Sequence, residues 1–271
     1  MNKLNIFKLE LKANSRSFLL WSVACSILLV IYILLFPMME QMDINSMMSQ
    51  MTNTMPEALT KMFGMDGIKD YSSLSNYLTV VLSEFNIFIL IYGAYLGGTT
   101  LVKEESEGTI EYLYSMPVTR TKIFFEKLLA IVFLYFGFMV INVIVGIVSS
   151  FFVTNVDFNL VKDFLKLFSS AFIVGLVYLS LGYFSSTLLR STKQAIALSI
   201  GMVLVTFIIG SFSGISESLD WIKYLAPINY CNGSDILTSG FSLTYGLLSV
   251  GIIVVSIGLS YYIYRKKDFK V

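Results

Sequence analysis

The sequence predicts an all-α membrane protein of six transmembrane helices, and three observations carry that prediction. Of 271 residues, 56% are hydrophobic and only 14% are charged, against roughly 25% charged in a soluble domain. The apolar residues gather into six uncharged or nearly uncharged runs, each long enough for the about 20 residues that a bilayer-spanning helix needs. The basic residues alternate between the intervals that separate those runs. The spans are placed at approximately 17–39, 77–102, 128–152, 167–189, 194–213 and 242–264, within a single transmembrane domain covering residues 1–271.

The first run is too long for the 7–15-residue core of a signal peptide, and no small-x-small cleavage site follows it, so it is read as a mature span. An even number of spans puts both termini on one side. Of 19 Lys and Arg, all but Lys61, Lys69, Lys162, Lys166 and Lys223 fall in the intervals on the terminal side. The positive-inside rule then places the N and C termini in the cytoplasm. Ahead of the first span, Leu4, Phe7 and Leu11 share a helical face beside Lys3, Lys8 and Lys12. That pattern suits either an N-terminal interfacial helix or an ordinary basic flank.

Two opposite-side loops have helical character. In 40–75, Ile44, Met48, Met51, Met55, Leu59 and Met62 follow helical spacing. A methionine cluster can bind soft Cu(I), but with no His nearby an adaptable apolar face is the simpler reading. Before the last span, Ile215, Leu219, Ile222 and Leu225 form a stripe that ends ahead of Pro227. This predicts short external helices, re-entrant or interfacial. By contrast, residues 190–193 leave room only for a tight cytoplasmic hairpin.

Several chemistries are missing. The chain has no His, which removes the commonest metal ligand and general base, and no metal site is expected. The two cysteines, Cys25 and Cys231, form no CxxC pair and are not expected to meet. No phosphate loop or Rossmann fingerprint occurs, and no cytoplasmic interval is long enough to fold as an ATPase. No catalytic residue and no cofactor of its own are expected, and a net charge of +1 gives no sign of nucleic-acid binding.

Within the spans, Glu84 is the one ionisable side chain, a functional candidate by default, although its position puts it near the outer edge of the bilayer core. Gly93 and Gly97 make a GxxxG, which allows close helix approach and hints weakly at a dimer seam. Asn142, near the middle of the third span, is placed to donate an interhelical hydrogen bond. All three are candidates for the pathway or for helix packing.

The first long cytoplasmic loop is the most informative segment. Its first half is helix-compatible, and Glu104, Glu107 and Glu111 share a face at i, i+3, i+7. Met116 precedes Pro117, which disfavours helix there. Thr119 or Thr121 is positioned to cap the third span. On these grounds alone, a solvated connector and a docking element are equally good readings.

The run Glu105-x-x-Gly108-Thr109-x-Glu111-x-Leu113-x-x-x-Pro117-Val118-Thr119-Arg120 closely resembles the corresponding loop of ABC-type exporter permeases of the type 2 membrane family. Met55-Pro56-Glu57-Ala58-Leu59 with Phe63-Gly64 is similar to the first external loop of bacterial drug and antibiotic-peptide permeases in that family. The resemblance implies a transport subunit rather than an enzyme, with ATP and Mg bound by a separate cytoplasmic P-loop ATPase present in two copies. It also implies a second, identical permease protomer, contact with membrane lipid, and residence in the bacterial cytoplasmic membrane. It makes the loop a coupling helix, with Glu104, Glu105, Glu107, Gly108, Thr109, Glu111, Leu113, Pro117 and Arg120 as its coupling residues. The substrates of such permeases include lipids, polysaccharides, drugs, peptides and ions, and an amphipathic or hydrophobic one is expected here. The alternatives are a membrane sensor or assembly factor that transports nothing, and an ion-gradient-driven carrier. A carrier would more often show inverted repeats and broken spans.

Overall fold

The computed structural model describes residues 6–41, 44–56, 60, 73–110, 118–154, 156–214 and 217–267. Six helices are long and apolar enough to cross a membrane: α1 (Ile6–Gln41), α3 (Leu74–Thr100), α5 (Arg120–Ser150), α6 (Phe158–Leu188), α7 (Thr192–Ser211) and α9 (Leu243–Lys266). Three shorter pieces are α2 (Ile44–Thr54), α4 (Lys103–Ser106) and α8 (Gly233–Ser239). No strand occurs among the described residues, as a lipid-embedded backbone requires unless it closes a barrel.

Local sequence sets the helix starts. The Ser73 hydroxyl accepts from the Asn76 N–H at 3.3 Å, and the Asp157 carboxylate from the Leu160 N–H at 2.8 Å. Of the two candidate caps for α5, Thr119 is the cap, accepting from the Lys122 N–H at 3.3 Å. α1 contains one proline, Pro37, near its far end. At about 1.5 Å per residue its 36 residues reach about 54 Å, well beyond a hydrocarbon core of about 30 Å. Residues 6–16 are continuous with the spanning helix, and no break among the described residues sets off a separate N-terminal helix.

The bundle is built around α3 and α6, which run in the same direction and are the most buried spans. Glycines let them touch. A Cβ added at Gly97 would lie 2.0 Å from the Leu179 carbonyl oxygen, and one added at Gly182 2.4 Å from that of Ala94. The Gly93–Gly97 pair thus serves a contact inside the chain, and the dimer seam that GxxxG suggested is occupied by α6. A Cβ at Gly175 would fall 1.7 Å from the Tyr135 hydroxyl oxygen, so that glycine makes room for a fully buried tyrosine of α5.

α1 and α5 form a second pair outside this core, while α9 covers α6. Ser249, Ser256 and Ser260 of α9 are buried, and the Ser260 hydroxyl donates to the Tyr183 carbonyl at 3.3 Å. Before α9 come the 3-10 turns Glu217–Tyr224 and Pro227–Cys231. Trp221 and Leu225 are exposed, but Ala226, Ile228, Tyr230 and Cys231 bury themselves against Leu90, Val174, Tyr178 and Val203. The chain here wedges into the bundle from the end opposite the described chain ends. Cys25 and Cys231 are both buried and free.

Candidate functional site: the loop at the basic end

The beginning of α1, the end of α9, the α6–α7 hairpin and the loop after α3 meet at one end of the bundle. The Phe7 N–H donates to Glu126 at 3.2 Å, and Arg120 donates to the carbonyls of Arg265 at 3.2 Å and Lys267 at 2.9 Å. Arg120, a coupling residue by the resemblance, thus reaches the C-terminal segment.

Helix α4 continues from α3 through Leu101 and Val102, both in right-handed helical conformation. It stops after one turn. Gly108 has φ +70°, a conformation that side-chain-bearing residues rarely adopt, and the Thr109 N–H returns to the Glu104 carbonyl at 2.9 Å. This is the hydrogen bond of a helix ended by a left-handed glycine. Helical conformation resumes at Ile110, which is buried. The expectation of one helical face carrying Glu104, Glu107 and Glu111 therefore fails: Gly108 breaks the helix between them. Glu111, Leu113 and Pro117 lie outside the described residues.

The three described loop carboxylates point three ways. Glu104 turns inward to Lys127. Glu105 pairs with Lys267 at 2.6 Å. Glu107 is exposed with Ser106, Gly108 and Thr109. The Ser106 hydroxyl accepts from the Thr192 N–H at 3.2 Å, and Lys267 also donates to the Leu189 carbonyl at 3.1 Å. The loop is thereby fastened to the α6–α7 hairpin. What emerges is a short polar tip, residues 106–109, on a firmly held base.

Beneath the tip is a group of residues that sequence reasoning missed as a unit. Glu10 is 3% exposed and Lys127 1%. The Lys127 ammonium has three protons and meets three acceptors: Glu104, Glu10 at 3.2 Å and the Thr100 carbonyl at 3.0 Å. Glu10 also accepts from Lys103 and, at 2.7 Å, from the Asn14 amide. Two carboxylates and two ammonium groups balance, with every proton of Lys127 directed. Removing ions from water costs several kcal/mol each and is offset only by geometry this complete.

A signal for these residues was present. Ile6, Glu10 and Asn14 are buried at i, i+4, i+8, while Lys8, Lys12 and Arg16 repeat at the same spacing on the opposite, exposed face. Lys127 likewise lies in phase with the buried stripe Ile123, Phe124, Ile131, Leu134 and Phe138 of α5.

The span candidates lie elsewhere. Glu84 is half-buried on α3, about 24 Å along the helix from Thr100 at 1.5 Å per residue. Asn142 is fully buried, but its amide donates to the Phe138 carbonyl of its own helix at 2.8 Å. The expected interhelical bond from that amide is absent, because the i−4 carbonyl is within reach. Among the described residues, no group of three or more His, Cys, Asp or Glu is placed to hold a metal ion.

A family model for ABC-2 family transporter proteins matches residues 4–269. No curated protein matches the chain. With six membrane-crossing helices and a family match over nearly its whole length, the chain is a multi-pass membrane protein that belongs to the ABC-2 transporter family, whose members are the membrane subunits of ABC transporters and work with an ATPase.

Proposed function

We propose that the chain is the permease of an exporter and that its ATPase docks on the loop tip at residues 106–109. The observation that carries this reading is the contrast within the loop. Glu104 and Glu105 are consumed by ion pairs inside the chain, whereas Glu107 projects from a rigid base beside the α6–α7 hairpin. A motor on another chain needs such a grip: exposed, polar and unable to yield. Glycine at 108 lets a partner backbone approach closely.

The basic end then faces the cytoplasm, in keeping with the distribution of Lys and Arg. Two protomers of this chain form the pathway and two ATPase subunits bind ATP and Mg, leaving this chain without a cofactor. The substrate is amphipathic or hydrophobic. Within the apolar spans read from the sequence, Glu84 is the one Asp, Glu, Lys or Arg, so charge is scarce there.

The test is Glu107→Lys with Glu111→Lys, co-expressed with the cognate ATPase. The double variant is expected to reach the membrane at normal level while transport is lost and ATPase co-purification falls. Normal transport with normal co-purification returns the loop to a connector.

A further inference from the structure

We infer that the Glu10–Lys103–Lys127–Glu104 cluster is a rigid joint that makes α1 move with the docking loop, with Glu10 and Lys127 as positioning residues for transport. The inference rests on the docking role proposed above and adds the route by which a push leaves the loop. Lys127 belongs to α5, but its three hydrogen bonds end on α1, α3 and α4. Glu10 belongs to α1 and holds Lys103 of α4 on one oxygen and Lys127 on the other. The loop therefore cannot shift against α1 or α5 without pulling Lys103 and Glu104 away from the buried charges of Glu10 and Lys127. An apolar contact tolerates sliding; four directed, mutually neutralising ions do not.

The neighbouring links differ in kind. Glu105 with Lys267 is an enclosed ion pair to the tail, but the loop's own link to the α6–α7 hairpin is one exposed hydrogen bond between neutral groups, from the Thr192 N–H to Ser106. A load on the tip is thus divided unequally. It passes stiffly into α1 and α5 through the ion cluster, and more loosely into the α6–α7 hairpin through the Ser106–Thr192 hydrogen bond. Among the six spans, α1 is also one of the least covered by its own chain, so it is free to be driven.

The first experiment replaces the cluster as a whole: Glu10→Met, Lys103→Met, Glu104→Met and Lys127→Met together. Exchanging a complete buried ion group for apolar residues of similar size is commonly neutral or stabilising for a fold. The variant is expected to keep its membrane level, melting temperature and ATPase co-purification. Transport per ATP hydrolysed should fall roughly tenfold, within the ordinary range of coupling between distant sites. Unchanged coupling in a folded variant overturns the joint while leaving tip docking intact, provided that Glu107→Lys with Glu111→Lys still abolishes transport. If that double variant is also normal, the docking reading falls as well.

A second measurement keeps the ions and so does not depend on that variant folding. Spin labels are placed at Leu9→Cys and Thr109→Cys, both exposed positions, in a chain carrying Cys25→Ala and Cys231→Ala, in complex with its ATPase. The Leu9–Thr109 distance is expected to be the same without nucleotide and in the ATP-trapped state, while a Thr109–Lys193 pair across the looser link changes. A Leu9–Thr109 distance that changes with nucleotide shows that the joint opens and overturns the inference. Two pairs that both stay fixed overturn it too, because the unequal division of load would then be absent.

Discussion

Glu105 and Lys267 lie 162 positions apart in the chain and meet at 2.6 Å. Their side chains are nearly enclosed, so the end of the last span is clamped to the first turn after the second. Replacing Lys267 by Met leaves the Glu105 carboxylate without this partner and costs about 1–3 kcal/mol, the usual penalty for an orphaned charged hydrogen bond. We expect a lower melting temperature in detergent and faster proteolysis of the C-terminal tail. Adding Glu105→Gln is expected to restore part of the loss; strict additivity of the two changes would contradict the pairing.

The α3–α6 contact is set by backbone rather than by side chains. Gly97→Ala forces a methyl group against the Leu179 carbonyl, and the strain is relieved only by separating the two central helices. Overpacking of this kind costs about 1–3 kcal/mol. Gly93→Ala, where the nearest backbone oxygen would be 2.9 Å away, is expected to be milder. Melting temperatures should fall in the order wild type, Gly93→Ala, Gly97→Ala. Equal effects would argue against so close an approach at Gly97.

Gly108 separates backbone strain from packing. A Cβ there meets nothing within 4 Å, yet φ is +70°. Gly108→Val is therefore expected to disturb only the turn, at about 1–2 kcal/mol for a left-handed residue. Gly108→Asn should be tolerated better, since Asn visits this conformation. The check is ATPase co-purification and transport at unchanged melting temperature. A uniform loss of protein for both variants would place Gly108 in the folding of the bundle instead.

Side-selective labelling reads the orientation. In a chain with Cys25→Ala and Cys231→Ala, cysteines at Met51 and Trp221 are expected to react from outside intact cells, and one at Ser106 only after permeabilisation. All three positions are exposed on the bundle. Labelling of Ser106 from outside would invert the arrangement and remove the loop from any cytoplasmic motor.

Sequence made the six spans legible because a bilayer demands long apolar helices, and that demand is written in composition. It made the family legible through the loop motif. It misjudged the loop's acidic residues because periodicity assumes an unbroken helix, and Gly108 breaks it. The motif itself carried the warning: a glycine after one helical turn is an ordinary terminator. Lys127 looked like one more basic flank residue because pairing with Glu10 is a three-dimensional fact. Only its phase on α5 distinguishes it from Lys122, which faces outward. Gly93 and Gly97 were recognised as close-approach residues, but no pattern says whether the neighbour is another copy or the chain's own α6.

Pro37 gives α1 a stiff shaft and a soft tip. It has no N–H to offer the carbonyl of Ile33, the position where a helix interior would otherwise be bonded, and Ile33 is itself wholly buried. From Ile6 to Ile33 the helix is an uninterrupted rod anchored at one end by four charges. Beyond Pro37 that stiffness ends, just before the chain enters the methionine-bearing α2. Bending is thereby concentrated at the far end of α1, just past the contact of Phe36 with Tyr77 that holds the shaft to α3.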